Sequence, residues 1–520
     1  MNGAVAAGHP LTAEAGARIL AEGGNAVDAC IAAAFVSWVV ESPLTGPGGG
    51  GFMLVHRARD RSDRVLDFFV SVPGRGLAPG EGGEMEAVKV AFAVDALQTF
   101  HVGAASSAVP GTPAGLAEAH RVYARLPWPE LLAPAVEVAR AGVQLSGSQA
   151  ILHAILDPVL RYGAEARRMY GEERGLTVGE RVPMDDLADT LDLLAAEGVA
   201  TFYRGELGRS ISAYVRDQGG RITEDDLAAY RVVRRAPVRV AYRSHDFVSN
   251  PPPSAGGVLI AFALRVLEGV GESGGAGSAE AIAGLAEAMR EAARARGGSF
   301  MSALYRGGLP ARLLSDVRLG EAIGRARRAG GDIAVEPAGV PSTTHISAVD
   351  AAGNAASVSA SLGCGSGVVV PGTGVHLNNM LGEEDLNPEG KAMAGRRLTS
   401  MMAPSLVLKD GRPRLVVGSA GSIRLRAAIL QMVVNVVRHR MSVDEGINAP
   451  RVHLDSGHLH LEGGFDPAAA DALEARGYDV VRWRDRNLYF GGVSAVAFLE
   501  SGELEAAGDL RRGGAGVVVG

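Results

Sequence analysis

The sequence has little cysteine, little lysine and no long hydrophobic run. Two cysteines, Cys30 and Cys364, stand far apart in a chain of 520 residues, so a small disulfide-stapled scaffold is excluded. Only three lysines occur and the net charge is −7, which argues against nucleic acid as the main partner. The longest apolar stretch, Cys30 to Val40, is too short to span ~30 Å of hydrocarbon, so it predicts a buried helix and no membrane partner.

Compartment signals are also sparse. The opening residues, MNGAVAAGHP, lack the charged region and the long apolar region of a secretory signal. Sparse cysteine is compatible with a reducing interior, where disulfides are rare. From these two observations we expect a cytoplasmic protein.

No motif for a phosphate-bearing cofactor or a metal ion stands out. The glycine run at 46–51 is not followed by the Gly-Lys-Ser/Thr that a phosphate loop needs. His458 and His460 alternate on a predicted strand, and two such residues without a third converging ligand indicate surface imidazoles rather than zinc. We therefore predict no metal and no cofactor.

The residues that are abundant indicate a globular protein of mixed structure. Apolar residues make up 47% of the chain, and helical periodicity and strand-like alternation both occur. Thr12, as an N-cap, predicts a helix that ends near residue 22, and Ala26–Val40 predicts a core helix. Strands are predicted at 52–56 and 64–70. Helices packed on antiparallel strands suggest a layered α+β fold.

The pattern changes sharply after a segment rich in glycine and proline at 331–342. A β-hairpin is predicted next, with its first strand beginning at Thr343 and its second strand at 355–361. A hydroxyl residue in this position is where an amino-terminal nucleophile would lie if the preceding peptide bond were cut. A Ser-Thr pair that only opens a strand is the competing structural interpretation.

Six short motifs occur along the chain. They are GGNAVDA at 23–29, GGGGFM at 48–53, VPGTP at 109–113, PPPS at 251–254, TTH at 343–345 and NAPR at 448–451. In this order they resemble motifs of the gamma-glutamyltranspeptidase family. The resemblance implies the four-layer αββα sandwich of N-terminal nucleophile hydrolases. It also implies a precursor that is cut between Ser342 and Thr343, and whose segments 1–342 and 343–520 stay together as one αββα unit.

The resemblance further implies a mechanism. Thr343 would supply the attacking hydroxyl and, through its freed α-amine, the base that deprotonates it. Such an amine titrates near ~7.7–8 when unperturbed, so it can act at neutral pH without a separate histidine. The segment 418–422 resembles the family's oxyanion loop and places the donating backbone N–H groups at Gly421 and Ser422. Ser361 matches a second hydroxyl residue that bonds to the nucleophile.

The sequence departs from the family where the substrate is selected. Phe69 stands where gamma-glutamyl enzymes have an arginine that binds the substrate's α-carboxylate. Loss of an Arg–carboxylate bond costs roughly 1.5–3 kcal/mol unless another cation replaces it. Arg75 is the nearest downstream candidate. Gly363 stands where the family often has an asparagine that helps to hold the substrate.

The other substrate-binding positions are retained in altered form. The acid that binds the substrate's α-amine is predicted at Asp385 or at its neighbour Glu384. The family's serine pair is represented by Thr399 and Ser400.

The resemblance therefore predicts a self-processing threonine amidohydrolase or acyltransferase. Its default donor is a small γ-glutamyl amide of the kind handled in glutathione metabolism, and water, an amine or a peptide would accept the acyl group. Two alternatives stay open. One is an acylase of the same superfamily with a non-glutamyl donor, which Phe69 and Gly363 favour. The other is an uncleaved, inactive relative that serves as a binding protein.

Overall fold

The computed structural model describes residues 2–78, 80–93, 96–271, 273–328, 343–383, 385–386 and 393–520. Ser342, the boundary segment 331–342 and the candidate acid Glu384 lie outside the described residues. The helices are α1 Pro10–Ala21, α2 Ala26–Val40, α3 Thr112–Tyr123, α4 Trp128–Ala141, α5 Gly147–Leu160, α6 Ala164–Tyr170, α7 Asp185–Glu197, α8 Ala200–Arg204, α9 Glu206–Asp217, α10 Glu224–Ala229, α11 Gly256–Val270, α12 Ala279–Ala295, α13 Phe300–Arg306, α14 Leu309–Leu313, α15 Asp316–Arg328, α16 Leu425–Val437, α17 Val443–Asn448 and α18 Pro467–Ala475. The strands are β1 Gly3–Ala7, β2 Gly50–Arg57, β3 Ser62–Phe68, β4 Glu86–Ala93, β5 Ala96–Val102, β6 Val143–Gln144, β7 Arg181–Val182, β8 Val233–Arg235, β9 Val238–Tyr242, β10 His245–Ser249, β11 Thr344–Asp350, β12 Ala355–Ser361, β13 Val369–Val370, β14 Val375–His376, β15 Ser405–Lys409, β16 Arg412–Ala420, β17 Val452–Asp455, β18 His458–Leu461, β19 Asp479–Arg482, β20 Gly492–Phe498, β21 Leu504–Gly508 and β22 Ala515–Val519.

Two antiparallel sheets lie face to face between two layers of helices. The first sheet has the strand order β22-β1-β11-β12-β2-β3-β8, and the second has the order β21-β20-β16-β15-β10-β9. Strands β11 and β12 pack against β16 and β20 across the gap. Helices α1 and α2 cover the outer face of the first sheet, and α11 and α16 cover that of the second. The predicted α+β fold, a four-layer αββα sandwich, is confirmed.

The segments before and after residue 342 contribute strands to both sheets. Strand β11 lies between β1 and β12, and β12 in turn pairs with β2. Each segment therefore satisfies backbone hydrogen bonds that the other would leave exposed at a sheet edge. The two segments build one structural unit.

The GGNAVDA motif starts the buried helix α2. The Asn25 side chain accepts hydrogen bonds from the backbone N–H groups of Val27 at 2.8 Å and Asp28 at 3.1 Å. The Asp28 carboxylate accepts from the Asn25 N–H at 2.9 Å, which completes a capping box. Every residue of Ala26–Val40 is buried, as the apolar run predicts.

The prediction that Thr12 caps the first helix is wrong. Helix α1 begins at Pro10, and its N-cap is His9, whose Nδ1 accepts from the Leu11 N–H at 3.2 Å. Proline suits the first helical position because the N–H that it lacks would have no partner there. Thr12 is fully buried, and its hydroxyl donates to Glu41 at 3.1 Å.

Polar side chains occupy the layer between the two sheets. His345 Nδ1 lies 2.8 Å from Ser359 Oγ, and its Nε2 lies 3.0 Å from Ser347 Oγ. The Ser347 hydroxyl donates across the gap to the carbonyl of Ser494 at 3.1 Å. Burial lowers the pKa of His345 to about 3, so the ring stays neutral at physiological pH. These bonds fix the beginning of β11, next to Thr343.

A buried ion-pair network anchors the last part of the chain. Arg451 of the NAPR motif lies 2.6 Å from Asp509, and Arg511 lies 3.1 Å from the same carboxylate. Arg511, whose side chain is fully buried, also pairs with Glu462. Buried charges are tolerated only when partners replace the lost water. The network therefore holds the turn 510–512 in a defined place.

Candidate active site

Thr343 lies directly before β11 beside a cavity, the Thr343 cavity, which contains about 370 Å³ of space including its open mouth. Its described lining includes six residues from the sequence prediction: Phe69, Thr343, Ser361, Asp385, Ser400 and Ser422. The remaining described lining residues are Met380, Glu383, Leu386, Met401, Met402 and Leu425. Residues from distant parts of the chain thus meet at one place, on a mainly apolar surface with two acids.

Ser361 ends β12, the strand that pairs with β11. The register sets Thr344 opposite Ala360, so the next residues, Thr343 and Ser361, reach the same cavity. The Ser361 hydroxyl oxygen accepts the backbone N–H of Gly363 at 2.9 Å, which orients it. A hydrogen bond from Ser361 to the nucleophile stays a prediction.

Gly421 and Ser422 lie where β16 ends and α16 is about to begin. Both have positive φ, 133° and 53°, and a short 3₁₀ turn over Ser422–Arg424 leads into the helix. N–H groups at the start of a helix have no partner within it and favour negative charge. Since Ser422 lines the Thr343 cavity, this loop is suited to stabilise an oxyanion formed there.

Two charged residues that no sequence motif marks, Glu41 and Arg512, lie beside Thr343. Glu41, buried at the end of α2, accepts hydrogen bonds from the hydroxyls of Thr344 at 2.7 Å and Thr12 at 3.1 Å. Burial raises the pKa of Glu41 to about 6. Arg512 donates to the carbonyl of Thr343 at 3.5 Å. In the sequence, an acid that directly follows a long apolar run is a signal for Glu41, whereas no comparable pattern marks Arg512.

Phe69 forms an aromatic wall of the Thr343 cavity. It is fully buried and stacks on Phe52, with ring centroids 5.5 Å apart and planes 18° apart. Its carbonyl accepts from the Tyr230 hydroxyl at 2.8 Å and from Arg397, whose guanidinium also lies 3.3 Å from Asp67. The described lining of the cavity contains no lysine or arginine.

Arg75 does not reach the Thr343 cavity. Its guanidinium lies 3.9 Å from Asp226, and its side chain is about half exposed. Asp226 also accepts from the backbone N–H groups of Gly74 at 2.6 Å and Arg75 at 3.1 Å. Arg75 therefore holds a turn, and it does not replace the carboxylate-binding arginine of the family.

At position 363 the structure leaves no room for a side chain. Gly363 has φ +70°, and a Cβ there would lie 2.0 Å from Asn379 Oδ1 and 2.7 Å from Glu383 Oε1. The Asn379 side chain is itself engaged, because its oxygen accepts the N–H of Cys364 at 3.0 Å. Position 363 therefore offers the substrate no side chain, as the glycine there predicts, and Glu383 occupies the adjacent space.

Asp385 lines the Thr343 cavity but is already paired. Its carboxylate forms an ion pair with Arg296, and the two side chains are only 10% and 11% exposed. A substrate ammonium group would have to compete with this guanidinium for the carboxylate. Sequence reasoning did not reveal the pair, because its members are 89 positions apart.

Glu383 is the second acid of the cavity. Burial, together with the neighbouring charge of Asp385, raises the pKa of Glu383 to about 7. Glu383 is therefore mainly neutral below pH 7 and becomes a carboxylate above it. The polarity of the cavity changes near neutral pH.

This titration predicts a pH-dependent KM. For a donor with an uncharged acyl group, we expect KM to rise by about tenfold as pH increases through 7, because ionised Glu383 retains water in the cavity. In Glu383→Gln the rise should disappear. The measurement is KM on both sides of pH 7, with exposed Glu22→Gln as the control. A rise of equal size in Glu383→Gln would contradict the assignment to this carboxyl.

The predicted serine pair is split by the structure. Thr399 donates to the carbonyl of Pro253 at 2.7 Å and lies outside the described lining of the Thr343 cavity. Ser400 lines the cavity, and its hydroxyl oxygen accepts the N–H of Met402 at 3.0 Å. Its carbonyl accepts from the Ser254 hydroxyl at 3.0 Å. The PPPS motif thus supports the loop that carries Ser400.

His458 and His460 have protein partners. His458 lies 2.9 Å from Asp479 and is half exposed, and His460 Nδ1 accepts from the Trp483 indole at 3.2 Å. Across the described ranges, no three His, Cys, Asp or Glu side chains are grouped so that they could hold a metal ion.

Within the described residues, no helix has both the length and the hydrophobicity to cross a lipid bilayer.

Comparisons with known proteins agree with this geometry. A family model described as gamma-glutamyltranspeptidase matches residues 12–519. The acylase ACY 1 proenzyme of Pseudomonas sp. (strain SE83) is 36% identical, over 99% of this chain and 93% of that protein. The glutathione hydrolase proenzyme of Escherichia coli (strain K12) is 31% identical, over 98% and 90%. The crystal structure of cephalosporin acylase from Bacillus halodurans superposes with a TM-score of 0.85 at 28% identity, covering 99% of this chain and 95% of that one.

Proposed function

The chain belongs to the gamma-glutamyltranspeptidase family, and we propose that it is an acylase within it, which uses Thr343 to hydrolyse amides of a mainly apolar, non-glutamyl acyl group. The family's curated relatives are glutathione hydrolases and acylases, so an enzyme of the hydrolase and acyltransferase type is established.

The observation that carries the proposal is the wall formed by Phe69. A γ-glutamyl group brings a carboxylate and an ammonium into the cavity, and each loses water there. The described lining offers the carboxylate no cation, because Arg397 is held by Asp67 and Arg75 by Asp226. A charged group buried without a partner is strongly disfavoured. An apolar acyl chain instead fits against Phe69 and the neighbouring methionines.

Self-cleavage would create the catalytic residue. The Thr343 hydroxyl attacks the carbonyl carbon of Ser342, the peptide C–N bond breaks, and the nitrogen takes up the proton. Water then hydrolyses the resulting ester and leaves Thr343 with a free α-amine and a free hydroxyl. The amine, near its ordinary pKa of ~7.7–8, is suited to deprotonate that hydroxyl in the next cycle.

The substrate reaction follows the same course. The hydroxyl oxygen of Thr343 attacks the amide carbon, and the backbone N–H groups of Gly421 and Ser422 stabilise the oxyanion. Collapse expels the amine, which leaves with the proton taken up by the α-amine of Thr343. Water, or an amine or peptide acceptor, then cleaves the ester and releases the acid or a new amide.

A γ-glutamyl donor is the second candidate. Glu383 and Asp385 both line the Thr343 cavity, and either carboxylate could receive the ammonium of a glutamyl group. The 31% identity to a glutathione hydrolase proenzyme supports this candidate too. If Asp385 is the partner of the ammonium, it must exchange its bond to Arg296 for one to the substrate.

The test compares the 4-nitroanilides of hexanoic, phenylacetic and γ-glutamic acid with the purified protein. We expect kcat/KM for the better of the two apolar donors to exceed that for the γ-glutamyl donor by about 10–100-fold, the worth of one missing Arg–carboxylate bond. A γ-glutamyl donor that is the fastest of the three would overturn the acylase proposal and leave the family assignment intact.

Denaturing gel electrophoresis tests the inactive alternative. Self-cleavage predicts two fragments, 1–342 and 343–520, of which the second begins with Thr343 on amino-terminal sequencing. A binding protein that is never cut would give a single band and no turnover of any of the three anilides.

The Arg296–Asp385 pair provides a prediction about selectivity. In Arg296→Gln the carboxylate of Asp385 is released, so the ratio of kcat/KM for the γ-glutamyl anilide to that for the hexanoyl anilide should rise about tenfold. Arg294→Gln, at the end of the same helix but paired with Glu291, is the matched control. An unchanged ratio in Arg296→Gln would show that the pair does not govern donor choice.

A further inference from the structure

A second cavity lies on the other side of the loop 421–424 from the Thr343 cavity. It lies between α11, α12, α16 and β17 and contains about 400 Å³ of space when its mouth, which opens to solvent, is included. Its walls are mainly aliphatic and include Leu259, Ile260, Met289 and Leu430. Two polar side chains, His453 and Arg426, also line it, and this set of residues defines the His453 cavity.

His453 is buried without any hydrogen bond. Its side chain sits on β17 and the residue is only 5% exposed, yet neither ring nitrogen has a partner within the described part of the chain. Buried polar groups almost always have a partner, because leaving one unpaired forfeits its hydration without compensation. An imidazole that lines a cavity in this state indicates that the cavity has an occupant that reaches it.

The electrostatic environment defines the sign of that occupant. Burial, together with the positive charges of Arg424 and Arg426, lowers the pKa of His453 well below its usual value, so the ring is neutral and offers one N–H. The described lining contains no aspartate or glutamate. Asp455 is an acid close to this cluster, and its charge raises the pKa values of Arg424 and His460.

From this arrangement we infer that the His453 cavity binds a small apolar carboxylate. The guanidinium of Arg426 faces its charge, the N–H of His453 donates to one of its oxygens, and the aliphatic walls hold its chain. An ammonium is disfavoured by Arg426 in the lining and by the nearby charge of Arg424, and an inorganic anion would leave the aliphatic walls unused. Arg426 and Met289 are only partly buried, which gives such a ligand a way in.

The position of the cavity connects it with catalysis. Ile423 lines the His453 cavity and directly follows Ser422, which lines the Thr343 cavity. A carboxylate bound behind this turn therefore contacts the segment predicted to hold the oxyanion donors. The two cavities remain separate sites with different described linings.

Hexanoate and hexanol form a matched pair of probes, with the same chain length and different charge. In the full-length protein carrying ¹³Cε1-labelled histidine, we expect hexanoate to shift one histidine signal saturably, and that signal should be missing in His453→Gln. By calorimetry hexanol should bind at least about tenfold more weakly, and Arg426→Gln should weaken hexanoate by a similar factor. Arg438→Gln, at the other end of α16, is the control.

A third variant controls for the case in which His453→Gln or Arg426→Gln fails to fold. Ala427→Leu fills the cavity while keeping both polar groups, and it should abolish the shift with an unchanged melting temperature. Three results would overturn the inference: no movement of the His453 signal, equal binding of hexanol and hexanoate, or hexanoate binding that Ala427→Leu and Arg426→Gln leave unaltered. The last result would place the ligand outside the His453 cavity.

Discussion

The variant Thr343→Ala is expected to remain a single chain of 520 residues and to lose activity towards every amide by at least ~10⁴-fold. The methyl group cannot attack the carbonyl of Ser342, so neither the cut nor the free amine is formed. The same substitution removes the hydroxyl that would attack the substrate amide and carry the acyl group. Intact mass and initial rates with the three anilides measure both consequences.

Thr343→Ser is the matched control for this variant. It keeps a hydroxyl at the same position, so we expect two fragments and measurable turnover, reduced because the serine side chain is less constrained. Glu41 and Arg512 remain in place in both variants. Recovery of Thr343→Ala as two normal fragments with ordinary rates would remove Thr343 from the mechanism.

Gly421→Ala is expected to lower kcat by about 10²–10³-fold while changing KM little, which is the usual cost of losing one oxyanion donor. Gly421 has φ 133°, which disfavours a side chain, and its Cβ would lie 2.9 Å from the Cα of Gly491. Because that contact is backbone against backbone, the loop must move and its N–H groups move with it. Steady-state kinetics on fully cleaved protein give the measurement.

Gly502→Ala separates backbone strain from loss of the donor. Gly502 also has a positive φ, 87°, but a Cβ there meets nothing within 4 Å, and the residue lies in the turn between β20 and β21. We expect a modest loss of stability and an unchanged kcat. Equal kcat values for the two alanine variants would argue against an oxyanion role for the loop.

Local features of the structure could be predicted well from the sequence. The limits of α2 coincide with the apolar run Ala26–Val40, and the hairpin lies within one residue of the predicted one, since β11 starts at Thr344. Both depend on side-chain periodicity over neighbouring residues. The N-cap prediction for α1 is wrong because residue type alone favours Thr12, whereas the Thr12 hydroxyl bonds to Glu41, which is distant in sequence.

Only part of the candidate site could be predicted, because the orientation of a side chain depends on contacts that are distant in sequence. Ser361, Ser400 and Ser422 line the Thr343 cavity together with Thr343, whereas Thr399 turns to Pro253 and Gly363 leaves its space to Glu383. Neighbouring residues on an extended strand or loop point in different directions. A motif identifies the loop, but the packing of that loop decides which of its side chains lines the Thr343 cavity.

The sequence by itself determined the family and the α+β class, because these are recorded in contiguous motifs and short-range periodicity, and it predicts Thr343 as the nucleophile. Only the tertiary structure decided that Asp385 is paired with Arg296, that no described cation lines the cavity beside Phe69, and that Glu41 holds Thr344. These are contacts between residues far apart in the chain. Their distances depend on how the two sheets and their helices stack, and this stacking cannot be read from neighbouring residues in the sequence.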